Sequence, residues 1–475
     1  MQRNSVIFTV PIIIPETMKS TNNSGDRTER NLMPYYVRIL AVVVLLLGII
    51  GVLIWRGPQQ RDVSVLARSP EGQAVPAGAP LRITFSRAVD RLSLEQQFQL
   101  VPPATGSFAW DGNILTFRPD QPLQSNTTYT VTIRTGLRDS AGRANQQPIT
   151  WSFRTRAPRL LILGSNPDES STLWYADADG RNAAPVYTAP IGMLSMAAAP
   201  DGVNALVVVR RDQQRSALVL VNLNTGEERE IVDAPDVTVD MPAWSPRGDL
   251  LMYEWRTIVG GVLGQPRVWL AQPDGTSLGP IIGGEIVSSA PVWSPDGRRI
   301  AFSDGISRTL GIYDFGDAPQ LFPDSTGERA SWSPDSRQLA YTATDPTQQP
   351  PRPTIRLATL SDGRSTPLVT TPGATSPAWS PDGRRIAYTL RDAARPTATL
   401  WQIGSDGSNP EPLTRTGDYR DTQPSWSPEA RLLAFLRTDA VSGASTAHVL
   451  DTATPAAPPQ PLLPDVQAVQ VEWVP

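Results

Sequence analysis

The stretch WSPDGRRIAF, residues Trp293–Phe302, recurs along the chain with small changes. Near-copies read WSPRGDLLMY from Trp244, WSPDSRQLAY from Trp332, WSPDGRRIAY from Trp379 and WSPEARLLAF from Trp426. A catalytic constellation is needed once, so a motif written at intervals points to architecture. Two diverged copies extend the series: AAPDGVNALVVV from Ala198, and VEWVP at Val471–Pro475. The motif prolines then fall at 200, 246, 295, 334, 381, 428 and 475, in steps of 46, 49, 39, 47, 47 and 47. A period of about 40–50 residues with strand-like contents is the mark of a β-propeller.

The letters of the motif have physical roles. Trp is a large flat group able to fill the wedge between blades. Pro presets φ for the turn, Asp or Ser caps free N–H groups, and Gly accepts a positive φ. Ser336 and Ala430 stand where other copies have Gly. Each repeat continues with two further strand-like runs joined by hairpin turns such as SDG and NTG, giving four strands per repeat. The first repeat lacks a leading W-S-P strand and the last residues supply one, so closure of a ring by the C-terminal strand is expected. The count favours seven blades, with six as the alternative if the 39-residue step is absorbed.

Residues 62–156 alternate apolar and polar positions in PLRITFS, NILTFRP, TTYTVTIR and ITWSFRT, the pattern of an antiparallel β-sandwich. Upstream, Ile39–Trp55 is a 17-residue run without charge, flanked by Tyr35, Tyr36, Arg38 and Arg56. It predicts a single transmembrane helix over 37–56 after a disordered tail at 1–36, in which Met18 or Met33 is an alternative start. Lys19, Arg27, Arg30 and Arg38 precede the run and Arg56, Arg61 and Arg68 follow it. The expected fold class is all-β: a propeller at 159–475, an N-terminal sandwich at 62–156 and one membrane-spanning helix.

The totals exclude several chemistries. With no cysteine, disulfides, thiol catalysis and zinc–thiolate sites are out. A formal net charge of -4 gives no basic field for nucleic acid, and Lys19 is the sole lysine among 42 basic residues. The single histidine, His448, would have to serve any Ser–His–Asp triad or imidazole metal site, and it stands in a short strand-like run. No G-x-S-x-G elbow, phosphate loop or dinucleotide fingerprint occurs. Asp296, Asp335, Asp382 and Glu429 repeat with the blades and read as turn residues. Asp139 and Asn145, and Asp177 and Asp179, are candidate metal ligands, but a loop satisfied by its own Asx turns and an ordinary hairpin are the favoured readings. Asn126-Thr127-Thr128 is a formal glycosylation sequon. No catalytic, cofactor-binding or metal-binding residue is assigned, and no partner-binding residue is identified.

The segments ITFSRAVD, LTFRPDQPLQSNTTYTVTI, GLRDSAGR and WSFRT resemble the Ig-like domain of bacterial surface and S-layer-associated proteins. The repeated WSPDGRRIAF with its following DG hairpin resembles the TolB-type β-propeller repeat over 159–475. The resemblance implies an envelope protein that binds other proteins, and it favours a cytoplasmic N-terminus with the bulk extracytoplasmic. The expectation is a non-enzymatic, membrane-anchored binding protein that presents its propeller to an envelope protein or glycan. Two alternatives stand beside it: a glycan-active enzyme with carboxylates at the channel mouth, and a sensor relaying binding to the N-terminal tail. Acidic residues converging on the channel from outside the turns would favour the enzyme.

Overall fold

A computed structural model describes residues 39–48 and 63–474, apart from 121–122, 140–141, 284–285, 317, 346–350, 393 and 455–456. The chain divides into two compact units, Met1–Arg61 and Asp62–Pro475. In the first unit the described residues form one helix over 39–48. Ten residues at 1.5 Å each cover about 15 Å, half the hydrocarbon thickness of a bilayer. No helix among the described residues is long and apolar enough to cross a membrane. The transmembrane helix expected over 37–56 is therefore corrected, and the single-pass cell-membrane localisation built on it falls with it. An uncharged run set that expectation; the part of it that is described, residues 39–48, supplies helix for about half of the distance. The tail at 1–36, with residues 37–38 and 49–56, lies outside the described residues.

The second unit opens with two four-stranded sheets. One has the order Val65–Ser69, Leu81–Phe85, Ile114–Pro119, Gly106–Asp111; the other runs Gly72–Val75, Ile149–Thr155, Thr128–Ile133, Phe98–Val101. Burial alternates along Leu81–Phe85 and Thr128–Ile133 as a period of two requires, so Leu81, Ile83, Phe85, Tyr129, Val131 and Ile133 meet in one core. A short helix, Arg91–Gln97, breaks the all-β pattern; Asp90 caps it by accepting from Ser93 N at 3.1 Å.

Beyond the sandwich the described residues form seven consecutive blades, each with four antiparallel strands in order, and in blade 3 a short extra strand, Val262–Leu263, pairs with the second. The innermost strands of blades 2 to 7 are Met193–Ala198, Val237–Trp244, Ser289–Trp293, Ser331–Trp332, Ala374–Trp379 and Tyr419–Trp426. Blade 1 takes its innermost strand from the C-terminus: Gln467–Val474 pairs antiparallel with Arg159–Ser165, with Ser171–Asp177 and Ala184–Ala189 outside it. The short 39-residue step removes no blade; it leaves the inner strand of blade 5 only two residues long.

Apolar clusters join each blade to the next around the whole circle. The closing cluster brings Leu160, Ile162 and Trp473 of blade 1 against Leu436, Val449 and Leu462 of blade 7. Leaving any of these faces unpartnered would return a Leu- or Trp-rich sheet to water, at about 25 cal/mol for each Å² exposed.

Candidate functional site

The repeated motif builds one rim of the ring. In the five W-S-P copies the Ser hydroxyl is buried and accepts the backbone N–H five residues on, as Ser294 does from Arg299 at 2.9 Å and Ser380 from Arg385 at 2.9 Å. It donates to the turn Asp: Ser294 to Asp296, Ser333 to Asp335 and Ser380 to Asp382, each at 2.6 Å. Successive turns overlap, because the space beside Gly248 is filled by Pro200 and that beside Gly297 by Pro246. Trp332, Trp426 and Trp473 donate their indole N–H to carbonyls of the preceding blade, at Val292 (3.3 Å), Ala378 (3.0 Å) and Ser425 (2.9 Å). The acidic turn residues are thus structural, and Glu429 is exposed in the same position.

The sandwich covers this turn-bearing rim. Arg118 Nη1 donates to Arg247 O at 2.7 Å in the blade 3 turn, and Arg156 Nη2 to Gly202 O at 2.8 Å in the blade 2 turn. On the opposite rim, hairpins between the second and third strands project with apolar tips. Ile306 is 69% exposed, Val262 70% and Val441 90%.

The other candidate residues are accounted for locally. Buried His448 stacks on Phe435 with ring centroids 5.6 Å apart, and burial lowers its pKa, so it is a neutral strand residue. Asp139 accepts from Arg143 N at 2.9 Å and Nε at 2.8 Å, while Asn145 Oδ1 accepts from Leu137 N at 2.8 Å, tying one sandwich loop together. Asp177 accepts from Arg159 Nε and Asn182 Nδ2 at 2.7 Å each, and Asp179 accepts from Arg181 N at 3.0 Å. Asn126 has φ 52° in a tight turn. Among the described residues no group of three or more His, Asp or Glu could hold a metal ion.

Charged groups do gather along the ring axis, from positions outside the turns. Asp240 and Glu254 belong to blade 3, Arg329 leads into blade 5 and Glu472 is on the closing strand of blade 1. These blades are not neighbours, yet Arg329 feels Glu472, Glu254 and Asp240 together, so the four groups lie within electrostatic reach of one another on the inner side of the ring. Arg329 is exposed to the channel but enclosed by protein, and this enclosure lowers its pKa against the pull of the three carboxylates. Glu472 is pushed up to about 7 by burial, against the opposing influence of Arg329 and a backbone hydrogen bond at Ala198.

The carboxylates also have structural work at the blade seams. Asp240 accepts from Ser195 Oγ of blade 2 at 2.6 Å and from Met241 N at 2.7 Å, beside a positive φ at Met241. Glu254 accepts from Ala290 N of blade 4 at 2.7 Å, again at a positive-φ residue. Glu328 accepts from Thr342 Oγ1 at 2.8 Å and Ser376 N of blade 6 at 3.1 Å. Inner-strand bulges free backbone N–H groups, and these acids satisfy them. Sequence reasoning missed this set. Its signal was the charge at Asp240, Glu328, Arg329 and Glu472, in the few residues before Trp244, Trp332 and Trp473.

Residues 60–155 match the bacterial Ig-like domain family. The Tol-Pal system protein TolB of Methylococcus capsulatus is 33% identical over 86 residues, 18% of this chain and 20% of that relative's length. TolB of Acinetobacter baumannii superposes with TM-score 0.44 at 15% identity, over 88% of this chain and all of that one. A 6-phosphogluconolactonase-like protein of Bacteroides uniformis gives TM-score 0.44 at 15% identity, over 67% and 99% of the two chains.

Proposed function

We propose that this TolB-like propeller protein is a non-enzymatic, envelope-associated binding protein whose partner is another protein. The observation that carries the reading is the rim opposite the sandwich, where Ile306, Val262 and Val441 stand on projecting hairpins. Exposed apolar groups on projecting hairpins suit a protein surface, since docking there buries apolar area. The sandwich covers the other rim and acts as a spacer. The stretch shared with TolB of the Tol-Pal system favours the envelope as the setting.

The test is site-specific photo-crosslinking from Val262 and Val441 in the cognate envelope fraction. One discrete protein adduct is expected, lost in Val262→Asp and Val441→Asp. Adducts spread over many proteins and unaffected by these changes would remove the reading.

The gathering of Asp240, Glu254 and Glu472 favours a second reading, a glycan-active enzyme using the channel. Against it, Asp240 and Glu254 are engaged by seam hydrogen bonds. Release of reducing sugar from purified wall glycan, abolished by Glu472→Gln, would establish it.

A further inference from the structure

Between the sandwich and the propeller lies a cleft of about 430 Å³. Its charged lining is Arg118 and Asp120 from the sandwich, with Arg247, Asp296, Arg298 and Asp335 from the turns of blades 3, 4 and 5. Clefts at domain boundaries are favoured places for small ligands.

The blade 3 turn departs from its siblings here. Where they carry Asp201, Asp296, Asp335, Asp382 or Glu429, it has Arg247. The capping role has moved two residues on, since Ser245 Oγ donates to Asp249 at 2.7 Å and accepts from Leu250 N at 3.0 Å. The turn is therefore complete without an acid at 247, and the arginine serves no purpose in it. Among the described residues, neither Arg118, Arg247 nor Arg298 is in an ion pair. Arg118 spends one Nη1–H on Arg247 O, while its Nε–H is cut off from solvent without an acceptor.

Three guanidiniums and three carboxylates lining one cleft favour neither a bare anion nor a bare cation. We propose that the cleft binds a small zwitterion of the amino-acid or short-peptide class. The ligand carboxylate meets Arg118, Arg247 and Arg298; its ammonium meets Asp296 and Asp335, each of which holds its turn through Oδ1.

The probe is L-alanyl-L-alanine, titrated calorimetrically into the full chain beside its N-acetyl and C-amide forms. Binding of the free dipeptide is expected, weakened about tenfold or more by blocking either terminus. Arg247→Asp, which restores the residue type of the sibling turns, should abolish binding with an unchanged melting temperature, and Arg298→Ala should weaken it. No heat from the dipeptide at about 10 mM overturns the proposal. So does equal affinity for the blocked forms, or full binding by folded Arg247→Asp and Arg298→Ala proteins.

Discussion

Trp473 donates its indole N–H to Ser425 O at 2.9 Å, fastening the strand that completes blade 1 to the inner strand of blade 7. The same ring packs among Leu160, Leu436 and Val449 in the closing cluster. The contact lies at the one seam where blade neighbours are not sequence neighbours.

Trp473→Ala should therefore cost about 3–5 kcal/mol, the usual range for emptying a large aromatic site. Deleting 466–475 should be worse, since it strips a whole strand and exposes the edge of Arg159–Ser165. Calorimetric melting checks both; a transition unchanged by the deletion would show that the ring does not depend on this seam.

Ala430 and Ser336 occupy left-handed turn positions, with φ 57° and 60°. Ala430→Gly should stabilise the protein by about 0.5–1 kcal/mol, because the strain of a Cβ at that φ is relieved. Ser336→Gly should gain less, since Ser336 Oγ accepts from Asp296 N of the neighbouring turn at 3.0 Å and that bond is lost. Urea denaturation of the two variants reads the difference directly.

Asp421, fully buried, receives Arg437 through Nε at 2.7 Å and Nη2 at 2.8 Å, and the guanidinium lies 3.8 Å from the centroid of Tyr419. Removing the cation alone strands a buried carboxylate. Arg437→Met should cost about 3–5 kcal/mol, and the double variant Asp421→Asn/Arg437→Met should recover part of the loss. A double-mutant cycle in urea tests the coupling.

Glu472 gives a pH dependence with a defined sign. Its folded pKa of about 7 lies above the ordinary 4.5. Below pH 4.5 the carboxyl is protonated in both folded and unfolded chains, and its contribution to stability is whole. That contribution is lost as pH rises from 4.5 through 7, because the unfolded chain releases the proton first. His448, lowered by burial, works the opposite way and loses stability as pH falls below its ordinary value. The melting temperature of Glu472→Gln minus that of the parent should thus rise between pH 4.5 and 7 and then level off. A flat difference would place Glu472 in open solvent.

The propeller was legible because each turn is written within six consecutive residues: Ser294, Asp296, Gly297 and Arg299 meet their partners locally. The sandwich strands were legible for the same reason, through an alternation such as that of Thr128–Ile133. The helix Arg91–Gln97 was not, being two turns long and held mainly by Asp90 and the buried Leu94. The channel charges escaped because Arg329 and Glu472 come together only when non-adjacent blades share an axis, which no local pattern records. The uncharged run at 39–55 misled because composition speaks to solvent preference alone, whereas among the described residues no helix is long and apolar enough to cross a membrane.

The junction between Ser165 and Gln467 joins residues 302 positions apart. On a translating ribosome the first sheet must wait, one strand short, until every other blade has emerged. Its completion is a late, long-range event, subject to the slow kinetics of distant pairing. An octapeptide copying 467–474, supplied in trans, would compete for that vacant place during refolding and leave the protein's own end loose.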